Sequence, residues 1–360
     1  MAVGVVMTTA TRDLLHKAAH KLPELDYETW FFGDSTGFEA MLRAADVLGD
    51  TSLEQFAYGW FRAWATRATP YSRDDCTAPG LAIVLAAERN KNERLLQAAI
   101  GLADYLTTRK KHLGVYETFD HSPLMEPYSG EPLPEREQEL LANPPAGVFI
   151  DCLHFDPPFF ASLARATGDS RWKDEAIEQA EGYIGALQQE SGLFHHFVLR
   201  DLPSESFGPG WGRGQGWALL GLLDVVEQLD LEPSSSLATA ATNLIKAMLP
   251  LQRDDGHWPV NILEPDSGDE PSTAAFMVTG LLRAAELGLV PQSDIETSVS
   301  KALSAVLADT TDEGYLSGVS RAVMACTRTS HYSHVPRGFN VPWGQGPLVL
   351  ALCEVISRDG

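Results

Sequence analysis

One carboxylate interrupts an apolar run, Phe149-Ile150-Asp151-Cys152-Leu153, which continues through Phe155, Pro157, Pro158, Phe159 and Phe160. A carboxylate in apolar surroundings loses hydration and its charged form is disfavoured, which is the condition a general acid needs near neutral pH. A second segment, Trp211-Gly212-Arg213-Gly214-Gln215-Gly216-Trp217, combines aromatic walls, a fixed cation and an amide on a backbone that can be approached closely. Together the two segments point to a sugar site. Asp151 also stands where a helix would begin, so N-capping is the competing reading. Asp75, in Asp75-Cys76-Thr77-Ala78-Pro79-Gly80, stands at another helix entrance. If both entrances lie on one rim the two carboxylates would meet, and like charges close together hold a proton to higher pH.

Other chemistries find less support. The glycines around Arg213 form neither G-x-G-x-x-G nor a Walker A loop, and no strand precedes them. Trp211 and Trp217 would serve equally as core residues, but an arginine between aromatics suits a bidentate grip on a carboxylate. His195-His196, His331-Tyr332-Ser333-His334 and the i, i+4 pair His16 and His20 do not form H-E-x-x-H, so no metal is expected and the histidines would instead bond sugar hydroxyls. No cysteine carries an evident activation signal, and no cofactor is implied.

The elements that must position these groups are helices. Apolar spacing predicts about twelve, near 11–21, 36–48, 53–68, 77–88, 92–109, 152–167, 171–189, 213–229, 236–251, 271–287, 293–308 and 343–357, with little strand-like alternation. They come in pairs, with long connectors at 112–150, 190–212, 253–271 and 310–342 alternating with tight turns. No sharp repeat is visible, but a closed ring of helical hairpins needs none. Residues 1–360 therefore read as one domain, with the long connectors clustered at one end and 126–145 as a surface excursion.

The net charge of −22 argues against nucleic acid or an anionic membrane as partner. Cys76, Cys152, Cys326 and Cys353 show no C-x-x-C and read as buried thiols. Met1–Met7 lacks the marks of a secretory signal, no apolar run would span a bilayer, and a cytoplasmic protein is expected.

Seven motifs stand in order: Asp34-Ser-Thr-Gly-Phe-Glu-Ala-Met-Leu; Asp75-Cys-Thr-Ala-Pro-Gly; Ile150-Asp-Cys-Leu; Gly192-Leu-Phe-His-His; Trp211-Gly-Arg-Gly-Gln-Gly-Trp; Glu270-Pro-Ser-Thr-Ala-Ala-Phe; and Trp343-Gly-Gln-Gly-Pro. In these the chain resembles the unsaturated glycuronyl hydrolases of glycoside hydrolase families 88 and 105, especially the unsaturated rhamnogalacturonyl hydrolases. The resemblance implies an all-α (α/α)6 barrel of six helical hairpins. It also implies a substrate, an oligosaccharide whose non-reducing end is a 4,5-unsaturated uronic acid. An aspartic acid protonates C4, cation character develops at C5 and the ring oxygen, water adds at C5, and the hemiketal opens to release the remaining sugar.

Carried over by motif, Asp151 matches the general acid, whose carboxylate then activates the water. Asp75 matches the second aspartate, which would bind uronyl hydroxyls and help keep Asp151 protonated. His196 would contact the sugar, with His195 as its rival, and Trp211, Arg213, Gln215 and Trp217 would wall and orient the uronate. Asp34, His154 and Trp343, in or beside matching segments, count with the substrate-binding residues. His154-Phe-Asp-Pro-Pro replaces the methionine-containing run more usual in the rhamnogalacturonyl type, while Asp-Cys-Leu and Arg-Gly-Gln look closer to the glucuronyl branch, so the partner sugar stays open. A saturated-sugar hydrolase, an epimerase or a non-catalytic sugar binder on the same rim are the alternatives.

Overall fold

The computed structural model describes residues 9–27 and 30–358; the apolar patch Met1–Met7 lies outside the described residues. Among them are fourteen α-helices: α1 Thr9–Lys21, α2 Asp34–Leu48, α3 Thr51–Arg67, α4 Gly80–Arg89, α5 Glu93–Leu106, α6 Glu135–Ala142, α7 Asp156–Thr167, α8 Ser170–Leu187, α9 Gly212–Gln228, α10 Ser236–Met248, α11 Pro271–Glu286, α12 Gln292–Asp309, α13 Ser330–Ser333 and α14 Pro342–Arg358. Twelve coincide with the predicted segments. The additions, α6 and α13, lie in long connectors, and α6 buries none of its residues.

Helices α2, α4, α7, α9, α11 and α14 each pack on the next, and α14 packs back on α2, closing an inner ring. Outside it stand α1, α3, α5, α8, α10 and α12, giving an (α/α)6 barrel. Sequence separates the two rings. The outer helix α5 buries a single stripe, Leu95, Ala99, Leu102, Ala103 and Leu106, whereas α11 is buried without a break from Pro271 to Leu282. A helix packed on all sides must be apolar on all sides, and one facing solvent need not be.

Strand is confined to the connectors: a hairpin of β1 Lys111–His112 and β2 Val115–Tyr116, and an antiparallel sheet of β3 Gly147–Phe149, β4 Phe197–Leu199 and β5 Ser206–Phe207 in the order β3-β4-β5. The packing also exposes a short repeat that the sequence hides. Turns at 188–194, 252–258 and 310–316 each close with a backbone bond, from Gln189, Arg253 and Thr311 to the carbonyls of Leu193, His257 and Tyr315. Gln188 and Gln252 then donate side-chain bonds both within their own turn and to the next outer helix, at Ala240 and Ser298. Gly256, at φ +94, is required there: a Cβ would stand 2.2 Å from the Lys301 carbonyl oxygen. With so few residues fixed per turn, the repeat falls below what the sequence shows by eye.

All four cysteines are free and buried. No described helix is long and apolar enough to cross a membrane.

Candidate active site

The N-terminal ends of the inner helices, with the long connectors that feed them, form one rim. Asp151 reaches it through local chain chemistry. Pro157 and Pro158 have no N–H to bond the carbonyls of residues 153 and 154, so α7 starts only at Asp156 and the preceding residues, Ile150–His154, tighten into a 3₁₀ turn. Phe155 occupies the N-cap position of α7, and neither it nor Phe149, ahead of the turn, caps with its side chain. Asp151 therefore caps no helix. Its side chain, 12% exposed, stands with Oδ2 3.5 Å from His196 Nε2.

The sheet sets this pairing. Phe149 is in register with Phe197, and the next step of the ladder bonds the Ile150 N–H to the His196 carbonyl at 2.9 Å. His196 is in turn held by its other nitrogen, since Nδ1 and the Tyr332 hydroxyl are hydrogen-bonded at 2.7 Å. Burial pushes the Tyr332 phenol well above its ordinary pKa, so it keeps its hydrogen. The Trp211 ring closes the other side of His196 at 4.4 Å between centroids. Gly208, at φ +63, makes room: a Cβ there would lie 2.1 Å from the Tyr332 oxygen. His195 is half-buried, with Nδ1 unpartnered and its pKa lowered by burial.

Asp75 enters from the neighbouring hairpin, in the 3₁₀ turn Arg73–Thr77 ahead of α4, which packs on α7. Here capping is real. Asp75 Oδ2 accepts from the Ser72 backbone N–H at 2.8 Å, and Oδ1 accepts from the Trp64 indole at 3.0 Å. Asp34 begins α2 and accepts from the Phe31 N–H at 3.1 Å, bracing the turn that lays Phe32 against Trp343, with ring centroids 5.2 Å apart. The Trp343 indole donates to the Ser320 carbonyl at 3.0 Å.

Four expected substrate contacts need correction. Arg213 is fully buried, ion-paired with Glu270 at 3.2 Å and donating to Ser320 Oγ at 2.9 Å and the Arg321 carbonyl at 3.1 Å, so its fork is occupied by protein. Burial lowers its pKa against the opposing fields of Glu270 and Asp151, which makes it a nearby fixed charge rather than a clamp. Gln215 is spent on backbone: Oε1 accepts from the Phe194 N–H, and Nε2 donates to the Phe194 and Trp211 carbonyls. Trp217 is fully buried against Phe276 and His154. His154 points away from the rim, toward Glu39 on α2 and Asp224 on α9.

Tyr332, Glu270 and Ser320 were missed as site residues. Glu270 lay inside a quoted motif, at a helix entrance, and a buried arginine is itself the signal that such an acid must exist. Tyr332 lay between two histidines that drew the attention instead, first as metal ligands and then as partners of sugar hydroxyls. Ser320 carries no sequence signal.

With this geometry in hand, comparison with known proteins is decisive on one point: residues 6–358 match Glycosyl Hydrolase Family 88. The chain belongs to that family. An unsaturated rhamnogalacturonyl hydrolase of Bacillus subtilis is 24% identical over 216 residues, 59% of this chain and 61% of that protein. An unsaturated 3S-rhamnoglycuronyl hydrolase of Alteromonas is 26% identical over 58% of this chain and 51% of its own length. The family 88 chain thus spans between about half and three-fifths of these curated relatives. Among solved structures, a possible family 105 member from Salmonella enterica superposes with TM-score 0.81 at 21% identity, covering 97% of this chain and 94% of that one. An unsaturated glucuronyl hydrolase from Bacillus superposes at 0.65 and 19% identity, covering 95% of each chain. At these identities the superpositions support the fold alone.

Proposed function

We propose that this family 88 chain hydrolyses oligosaccharides that end in a 4,5-unsaturated uronic acid, with Asp151 as the proton donor. The observation that carries the reading is that Asp151 is relieved of any capping duty, sits on the rim, and has His196 as its nearest polar partner. With the Tyr332 hydroxyl donating to His196 Nδ1, Nε2 would carry the ring hydrogen and face Asp151 Oδ2. That leaves Oδ1 as the oxygen from which a proton can be given.

The proton passes from Oδ1 to C4 of the unsaturated ring, and the C4=C5 electron pair forms the new C–H bond. Positive charge develops at C5 and is shared by the ring oxygen. Asp151, now a carboxylate, takes a proton from the water that adds at C5. The C5 hemiketal opens by breaking its bond to the ring oxygen, and the hemiacetal left at C1 expels the remaining sugar as an alcohol. A uronate approaching this rim meets the positive ends of six inner helices, which favours an anion despite the net charge of −22.

A saturated-sugar hydrolase needs two available carboxylates flanking the bond. Asp75 has both oxygens engaged by Trp64 and Ser72, which fits hydroxyl positioning better than nucleophilic attack. The test is the ultraviolet absorbance of the conjugated double bond across unsaturated galacturonyl and glucuronyl disaccharides. Loss of absorbance with wild type and its retention with Asp151→Asn support the reading. Unchanged absorbance across the panel, or release of reducing ends from saturated oligosaccharides, sinks it.

A further inference from the structure

At the far end of the barrel a cleft of about 330 Å³ opens among the C-terminal halves of the inner helices, lined by six carboxylates against three arginines. Two of its lining carboxylates, Glu39 and Asp224, face the buried His154 behind it, and none of the three takes part in the reaction proposed for the rim. His154 Nε2 is hydrogen-bonded to Glu39 Oε2 at 3.1 Å. His154 Nδ1 stands 3.4 Å from Asp224 Oδ2, yet both atoms are buried and neither has a hydrogen-bond partner. Nitrogen and carboxylate oxygen at that separation match one edge of a tetrahedron, because ligands at about 2.0–2.2 Å from a zinc ion lie about 3.3–3.5 Å apart.

The remaining atoms of both side chains are braced. Arg283 holds Asp224 Oδ1 at 2.7 Å, leaving Oδ2 to face the imidazole. Glu39 on Nε2 reproduces the carboxylate–histidine pairing that fixes ring orientation at metal centres. Ligand-type atoms of Glu39, His154 and Asp224 lie within 4.8 Å of one another. The excess of carboxylates and the negative ends of the inner helices favour a cation, and Glu39 and Asp224 line the cleft from which it would enter.

We propose that this cluster binds one divalent transition-metal ion of the zinc type, through His154 Nδ1 and Asp224 Oδ2, with Glu39 orienting the imidazole. The site is independent of the rim chemistry. An exposed group, His16, His20 and Asp50, has comparable spacing and would obscure the measurement, so the test uses the His16→Ala/His20→Ala protein. Chelator-treated protein at pH 8, where protons compete least for Nδ1, is titrated with Zn²⁺ by calorimetry and with Co²⁺ by visible absorption.

The expected result is one ion per chain, with affinity about 10–100-fold weaker in Glu39→Gln and weaker by at least as much in Asp224→Asn. Both substitutions are close in shape to the native residue, and circular dichroism verifies folding, so a variant that fails to fold is replaced by the other. Absence of binding in the double-alanine protein, or binding that a folded variant leaves unchanged, overturns the proposal.

Discussion

The two ends of this barrel treat charge in opposite ways. At the far end the carboxylates meet arginines: Asp46 pairs with Arg89, Asp224 and Glu227 with Arg283, and Glu286 and Glu354 with Arg358. At the rim the one arginine among the expected site residues is sealed against Glu270, and Asp151 faces an imidazole at 3.5 Å. Helix direction accounts for part of the contrast, since the inner helices present positive ends to the rim and negative ends to the cleft. Connector length accounts for the rest. The short turns at the far end leave helix-borne side chains to pair among themselves, whereas the long rim connectors bring in Tyr332, Ser320 and His196 to hold a few groups in place.

The sharpest way to break this contrast is Asp151→Asn, which should cut turnover by about 10²–10⁴-fold while leaving thermal unfolding near that of wild type; a variant that melts early would make Asp151 structural. Arg213→Ala should do the reverse. Stranding Glu270 in the core should cost about 3–5 kcal/mol in denaturant unfolding. If stability is kept and only KM rises, Arg213 touches substrate after all.

Tyr332→Phe leaves the buried His196 Nδ1 without its partner and should cost about 1–3 kcal/mol, with kcat lowered and KM unchanged. His331, stacked on Tyr128 beside this group, has its pKa lowered to about 4, chiefly by burial and then by His196. Between pH 6.5 and 4 the unfolded chain binds a proton there that the folded chain refuses, so stability should fall as pH falls through that window. His331→Gln should flatten that slope. The smallest effect belongs to the far end, where breaking the half-exposed Arg165–Glu88 pair by Arg165→Gln should cost less than about 1 kcal/mol.

Much of this was legible beforehand because it is local. Twelve helices could be placed from apolar spacing, since each satisfies its own backbone and signals its buried side every three or four residues. Asp151 and Asp75 were found at helix entrances by the residues beside them. The capping question could not be answered from the same signal: Asp75 takes part in a cap and Asp151 does not, because two prolines delay α7 by several residues.

What the amino-acid sequence determined by itself was the set of helices, the acids at their entrances and the aromatic and glycine-rich stretches between them. Only the tertiary structure decided which polar groups remain available. Arg213 and Gln215 have the composition of ligand-binding residues, yet Glu270 and the Phe194 backbone claim them first. A buried polar group must be matched wherever the fold brings a partner, and those partners come from distant hairpins that no local pattern specifies.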